Sequence, residues 1–307
     1  MTRAVRVSIS GLAVVIGLGA CPSLATAWNA TGHRVVARIA WEHMTPRARA
    51  RAVALLLGGP GVANLASLRP AAGAAAERDA LFFMSAATWA DLVKNRHEAW
   101  NVYSHPTWHY ADFYWDVVNG QPHDIPGTGP DAENAGERIT VFREELGSAS
   151  VPDTAKAVDL AWLLHLVGDV HQPLHCSSRV TSRHPLPQGD RGGNAFHLDD
   201  TRNLHAYWDD ILDETVSLPT YEDSLAYATR IAHQLEVAFP PDSAANASDV
   251  DIWERESLHL AQTVVYADLA RGRVPSAAYL AQALNRAERQ MALAGYRLAN
   301  LLDDVLK

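Results

Sequence analysis

Eight stretches of the chain place apolar residues three and four positions apart, and this periodicity restricts it to a mainly helical fold. They cover residues 31–43, 47–57, 75–92, 132–146, 154–171, 221–239, 249–270 and 276–306, and no segment alternates convincingly enough to predict a strand. In the last stretch Leu280, Ala283, Leu284, Ala287, Met291, Ala294, Leu298, Leu301 and Leu302 fall on one side. Asn285, Arg286, Arg289 and Gln290 fall on the other, the pattern of a helix with one face in a core. Gly and Pro collect in 58–73, 119–130 and 177–194, which read as loops. With no repeat and no linker, the expectation is an all-α fold, a single compact multi-helix domain over 28–307.

The first 27 residues read as a secretory signal: Arg3 and Arg6 are followed by an apolar run over 9–20 and the small-residue site Ala25-Thr26-Ala27. Cleavage after Ala27 would deliver residues 28–307 to the periplasm or the exterior, with Trp28 first. Leu18-Gly19-Ala20-Cys21 supports a competing reading, lipidation at Cys21, which would leave seven residues ahead of Trp28 and attach the protein to a membrane. The apolar run is shorter than the roughly 20 residues that span a bilayer. Without the leader the chain holds 24 basic and 35 acidic side chains, a formal charge of −11. That excludes binding polyanions through a broadly basic surface, so any phosphate must meet a localised cation. Only Cys176 remains beyond the leader, so no internal disulfide is expected.

The candidate chemistry lies in H-L-V-G-D-V-H-Q-P-L-H, His165 to His175. On a helix His165 and Asp169 sit one turn apart on the same face, the spacing with which a helix offers two ligands to one ion. His171, about 200° round the helix from Asp169, points away and reads as a hydrogen-bonded core histidine. Pro173 ends the helix, and His175 follows on an irregular segment that could fold back. N-L-H-A-Y-W-D repeats the pairing with His205 and Asp209, while T-W-A-D ends on Asp91 and T-W-H-Y-A-D holds His109 and Asp112. Imidazoles and carboxylates without a thiolate suit zinc among several divalent ions.

Read in order, W-N-A-T-G-H (28–33), W-A-D, W-H-Y, H-L-V-G-D-V-H-Q-P-L-H, G-G-N (192–194) and N-L-H-A-Y-W-D resemble the S1/P1 nuclease family, whose fold is shared with bacterial zinc phospholipases C. The resemblance covers essentially all of 28–307 and implies a helical protein with three Zn2+ ions in a cleft. It assigns Asp91, His109, His165 and Asp169 to one zinc and His175, His205 and Asp209 to a second. The third falls to the amine and carbonyl of Trp28 with His33 and Asp169, so that Asp169 bridges. A five-membered chelate through the Trp28 amine requires that no residue precede it. The resemblance also places Lys94 beside the scissile phosphate and Asp112 at the nucleoside, and it puts Asp210 at a base-contact position where fungal members tend to have Asn. It implies hydrolysis of single-stranded DNA and RNA by a metal-activated water to 5′-phosphorylated products, with no stable protein partner. A zinc phospholipase C and a zinc-sequestering protein without catalysis are the rival readings. The ending of the second site on Asp209 favours the nuclease, since the phospholipases finish that site with Glu.

Overall fold

The computed structural model describes residues 28–213 and 221–307, so the leader and Cys21 lie outside the described residues. Ten α-helices appear among them: α1 (Ala30–His43), α2 (Pro46–Leu57), α3 (Ala75–Ala86), α4 (Trp89–Leu92), α5 (Ala135–Gly147), α6 (Asp153–Asp169), α7 (Leu204–Asp209), α8 (Tyr221–Ala238), α9 (Val250–Leu260) and α10 (Ala277–Val305). The all-α architecture expected from periodicity is present. No single described helix is long and apolar enough to cross a membrane.

Helix α1 is the central strut, packed against α10, α8, α3 and α6. Every residue from Thr31 to Trp41 is buried, including two arginines. Arg38 is neutralised by Glu42 and Glu77, and Arg34 donates to Ser224 of α8. Helix α10 departs from its simple stripe in two places: Leu284 is 37% exposed, whereas Gln290 is 2% exposed. The C-terminal half of α10 is enclosed on most sides, and the Gln290 side chain is satisfied there by donating to the His171 carbonyl at 3.2 Å.

Three expectations need correction. A small sheet does form, with β1 (Tyr114–Val118) antiparallel to β2 (Gln121–Asp124) and parallel to β3 (Ser178–Arg179). The hairpin turns on Asn119 and Gly120, both with positive φ (53° and 79°); this dipeptide is a strong hairpin signal, read only as a loop from the sequence. The 75–92 stretch breaks between α3 and α4 instead of running on. At that break Asp91 donates its backbone N–H to Thr88, not to Ala87 as an uninterrupted helix would require. The 249–270 stretch gives way after α9 to a π-helical turn, Ala261–Val265.

Candidate metal centre

The break between α3 and α4 has a chemical use. The freed Ala87 carbonyl accepts the Nδ1–H of His165 at 2.9 Å, which leaves the His165 Nε2 lone pair directed into the interior. Two other histidines are set the same way: His175 donates Nδ1–H to the His109 carbonyl at 2.5 Å and His205 donates to the Gly192 carbonyl at 2.7 Å. Gly192 is required for the latter contact. Its φ is +60°, and a Cβ there would lie 2.4 Å from the Leu174 carbonyl oxygen and 3.2 Å from His205 Nδ1.

The eight side chains expected to meet do so, although they come from α1, α4, α6, α7 and two 3-10 turns, Pro106–His109 and Pro173–Cys176. Three groups have ligand atoms within 4.8 Å of one another: His33 with His165 and Asp169, Asp91 with His109 and His165, and His175 with His205 and Asp209. Asp169 faces two ways. Its Oδ1 lies 3.3 Å from His33 Nε2, and its Oδ2 lies 3.1 Å from His109 Nδ1 and 3.4 Å from His165 Nε2. The His33 and His165 rings stack at 3.7 Å. Gly168 permits this approach, since a Cβ there would meet His33 Nδ1 at 2.8 Å.

Electrostatically the cluster suits a cation other than a proton. Burial, followed by neighbouring imidazoles and Lys94, pushes His33 well below the ordinary histidine range; burial and Lys94 do the same to His109. Burial likewise lowers His175, and it brings His165 and His205 to about 4, so all five rings are neutral at pH 7, the form that ligates metal. Burial drives Asp169 and Asp209 well above the carboxylate range. A divalent ion would restore their charge. The donor set fits such an ion by a further criterion: His33 Nε2, His175 Nε2, His205 Nε2 and Asp169 Oδ1 are buried without a hydrogen-bond partner. Orphaned polar atoms this concentrated are costly unless something else binds them.

Around the cluster, Lys94 Nζ sits 2.6 Å from Asp91 Oδ1, and its charge reaches all five histidines. Asp112 is half-buried and pushed up to about 8, chiefly by burial and then by Asp190 and Asp131. It lines a cavity of about 180 Å³ with Tyr110, Tyr114, Gln188 and Arg191. The arginines of the 177–194 loop divide: Arg179 is held over Trp115 and Tyr266, whereas Arg191, at φ +55°, borders the cavity. Asp210 accepts from Asn29 Nδ2 at 3.0 Å. Trp28 is completely buried, and the neighbouring Asn29 N–H donates to the Asp209 carbonyl. As expected, His171 points elsewhere, donating Nδ1–H to Val167 and accepting from Arg297 at 2.9 Å. A cavity of about 980 Å³ between α3 and α8 contains none of these residues.

Two residues at the site escaped sequence reasoning. Gln172 donates Nε2–H to Asp209 Oδ1 at 2.8 Å and accepts the Leu174 N–H at 2.6 Å. Asn29 caps α1 and also reaches across to the end of α7. The signal each carried was its place inside a motif, Gln172 in H-L-V-G-D-V-H-Q-P-L-H and Asn29 in W-N-A-T-G-H.

The chain is similar to known proteins along its length. The S1/P1 Nuclease family profile matches residues 28–307. Endonuclease 3 of Arabidopsis thaliana is 29% identical over 163 residues, 48% of this chain and 50% of that protein. The chain thus spans about half the length of the plant relatives it matches first. Nuclease S1 of Aspergillus oryzae is 26% identical over 72% of this chain and 78% of its own. Nuclease P1 of Penicillium citrinum is 23% identical over 91% and 97%.

Proposed function

Because the chain belongs to the S1/P1 nuclease family, we propose that it is a zinc-dependent phosphodiesterase that hydrolyses single-stranded DNA and RNA to 5′-phosphorylated products, and 3′-mononucleotides to nucleosides and inorganic phosphate. On this reading residues 1–27 are a secretory leader, and removal after Ala27 frees the amine of Trp28. Asp91, His109, His165 and Asp169 would hold one zinc and His175, His205 and Asp209 a second. The Trp28 amine and carbonyl, with His33 and Asp169, would hold the third. Bound there, zinc supplies a water of lowered pKa and Lewis-acid stabilisation of phosphoryl charge.

The protein's own groups then have distinct tasks. Nδ1–H bonds to backbone carbonyls fix the tautomer and ring plane of His165, His175 and His205. The two oxygens of Asp169 serve two sites at once, since each faces a different imidazole. Lys94 donates to a non-bridging phosphoryl oxygen as charge builds on it. Asp112 contacts the base in the cavity beside Tyr110 and Tyr114. Water adds its oxygen to phosphorus, the bond from phosphorus to O3′ breaks, and a proton ends on the departing 3′ oxygen.

The observation that carries the proposal is the convergence of five imidazoles and three carboxylates, with partnerless buried donor atoms, on the residues that bear the family's motifs. The test uses protein beginning at Trp28, with zinc counted by mass spectrometry and hydrolysis of single-stranded DNA compared with that of phosphatidylcholine. DNA cleavage that is abolished by chelation and restored by zinc is expected. Preferential lipid cleavage would mean a phospholipase, zinc binding without either activity would mean a sequestering protein, and activity in fully demetallated protein would refute the metal mechanism.

A further inference from the structure

Asn29 uses all the hydrogen-bonding capacity of its side chain. Its Oδ1 accepts the N–H groups of Thr31 and Gly32 at 3.0 and 3.2 Å, capping α1. Its Nδ2 donates to Asp210 Oδ1 at 3.0 Å and to Asp213 Oδ2 at 2.9 Å, and Thr31 Oγ1 adds a bond to that same Asp213 oxygen at 2.7 Å. The choice of Asn is informative. Asp caps a helix about as well, but it has no donor, and here it would set a third carboxylate against two others. The amide therefore answers a tertiary requirement, not a capping one.

That requirement follows from where residue 28 sits. A first residue is tethered on one side only, and termini fray unless tied down. Holding a backbone residue in a single conformation costs conformational entropy. The bonds from Asn29 and Thr31, with the backbone bond from Asn29 N–H to the Asp209 carbonyl, join the start of α1 to the end of α7. Helix α7 carries His205 and Asp209, so the segment that follows Trp28 is referenced directly to the candidate ligands of the second site.

We infer that Asn29, Asp210 and Asp213 form a clamp that positions the backbone of Trp28 for metal binding, so that Asp210 is a positioning residue and not a base contact. This rests on the proposed chelate at Trp28. One oxygen of Asp210 is engaged by Asn29 and the other lies 3.6 Å from Arg202.

The test is Asn29→Asp in protein beginning at Trp28, read by zinc stoichiometry and by competition with a chromophoric chelator. The cap on α1 is retained and the clamp becomes repulsive. We expect one of three zincs to be held about 10- to 100-fold more weakly, the range for removing a group that orients a ligand, with helical circular dichroism unchanged. Reversing the polarity with Asn29→Asp, Asp210→Asn and Asp213→Asn together should recover the third zinc, which a generally destabilised terminus would not do. If Asn29→Asp does not fold, Asn29→Ser, which caps without adding charge, carries the test with the same expectation. Three zincs held at wild-type affinity in the folded single variant would overturn the clamp. Wild-type protein that saturates at two zincs, or a Met-extended protein that still holds three, would overturn the terminal chelate instead.

Discussion

Replacing Gln172 with Met should weaken the second metal site without touching a ligand. Gln172 is fully buried, as is the Leu174 N–H that it accepts, and its amide donates to Asp209 at 2.8 Å. Met fills similar space but neither donates nor accepts strongly. Two costs follow. The stranded Leu174 N–H and the lost bond to Asp209 should together remove about 2–4 kcal/mol from the stability of the metal-free protein, since each buried unsatisfied group costs about 1–3 kcal/mol. Asp209 also loses the contact that fixes its rotamer, which should lower affinity at that site about 10- to 100-fold. Gln172→Glu separates the two, because it keeps an acceptor for Leu174 while setting a carboxyl against Asp209. It should retain more stability than Gln172→Met and still bind zinc poorly. Thermal unfolding in chelator gives the first quantity and zinc competition the second. Wild-type zinc affinity in Gln172→Met would refute the claim that Asp209 is oriented through this amide.

Lys94→Ala should slow turnover on the order of tenfold to a thousandfold with zinc content intact, the range for loss of one electrostatic donor; His165→Ala should instead lose metal, and equal zinc and equal rates in both would refute the distinction. Asp159, on α6 beside Glu145 of α5, is raised to about 7 by burial and then by Glu145. The folded state retains its proton while the unfolded state releases one near pH 4, so this contribution to stability is full in acid and is lost as pH rises towards 7. A loss on the order of 1–2 kcal/mol is expected. Urea midpoints of Asp159→Asn measured at pH 5 and pH 8 should differ less than those of the parent, and an unchanged difference would count against the assignment.

Much of this protein is legible in one dimension. Apolar residues at helical spacing place most of the helices to within a few residues, because the side of a helix that avoids water must repeat with the helix turn. The same turn puts His165 above Asp169 and His205 above Asp209, so half of the side-chain ligand set follows from local geometry alone. Asn119-Gly120 was legible too, as a hairpin, but its strands are too short to announce themselves by alternation.

What required the tertiary structure is everything that depends on groups far apart in sequence. Periodicity does not reveal that 75–92 breaks at Ala87, since the break is stabilised by His165, 78 positions away. Composition does not reveal that Gln290, on the polar side of its helix, is enclosed and bound to His171. Nor does the sequence distinguish Asn29 from an ordinary cap, because its second pair of hydrogen bonds ends 181 and 184 residues later. Local spacing determines which side chains a helix offers on one face. Only packing determines which buried donors are left facing one another without partners, and that decision turns a set of histidines and aspartates into a candidate metal centre.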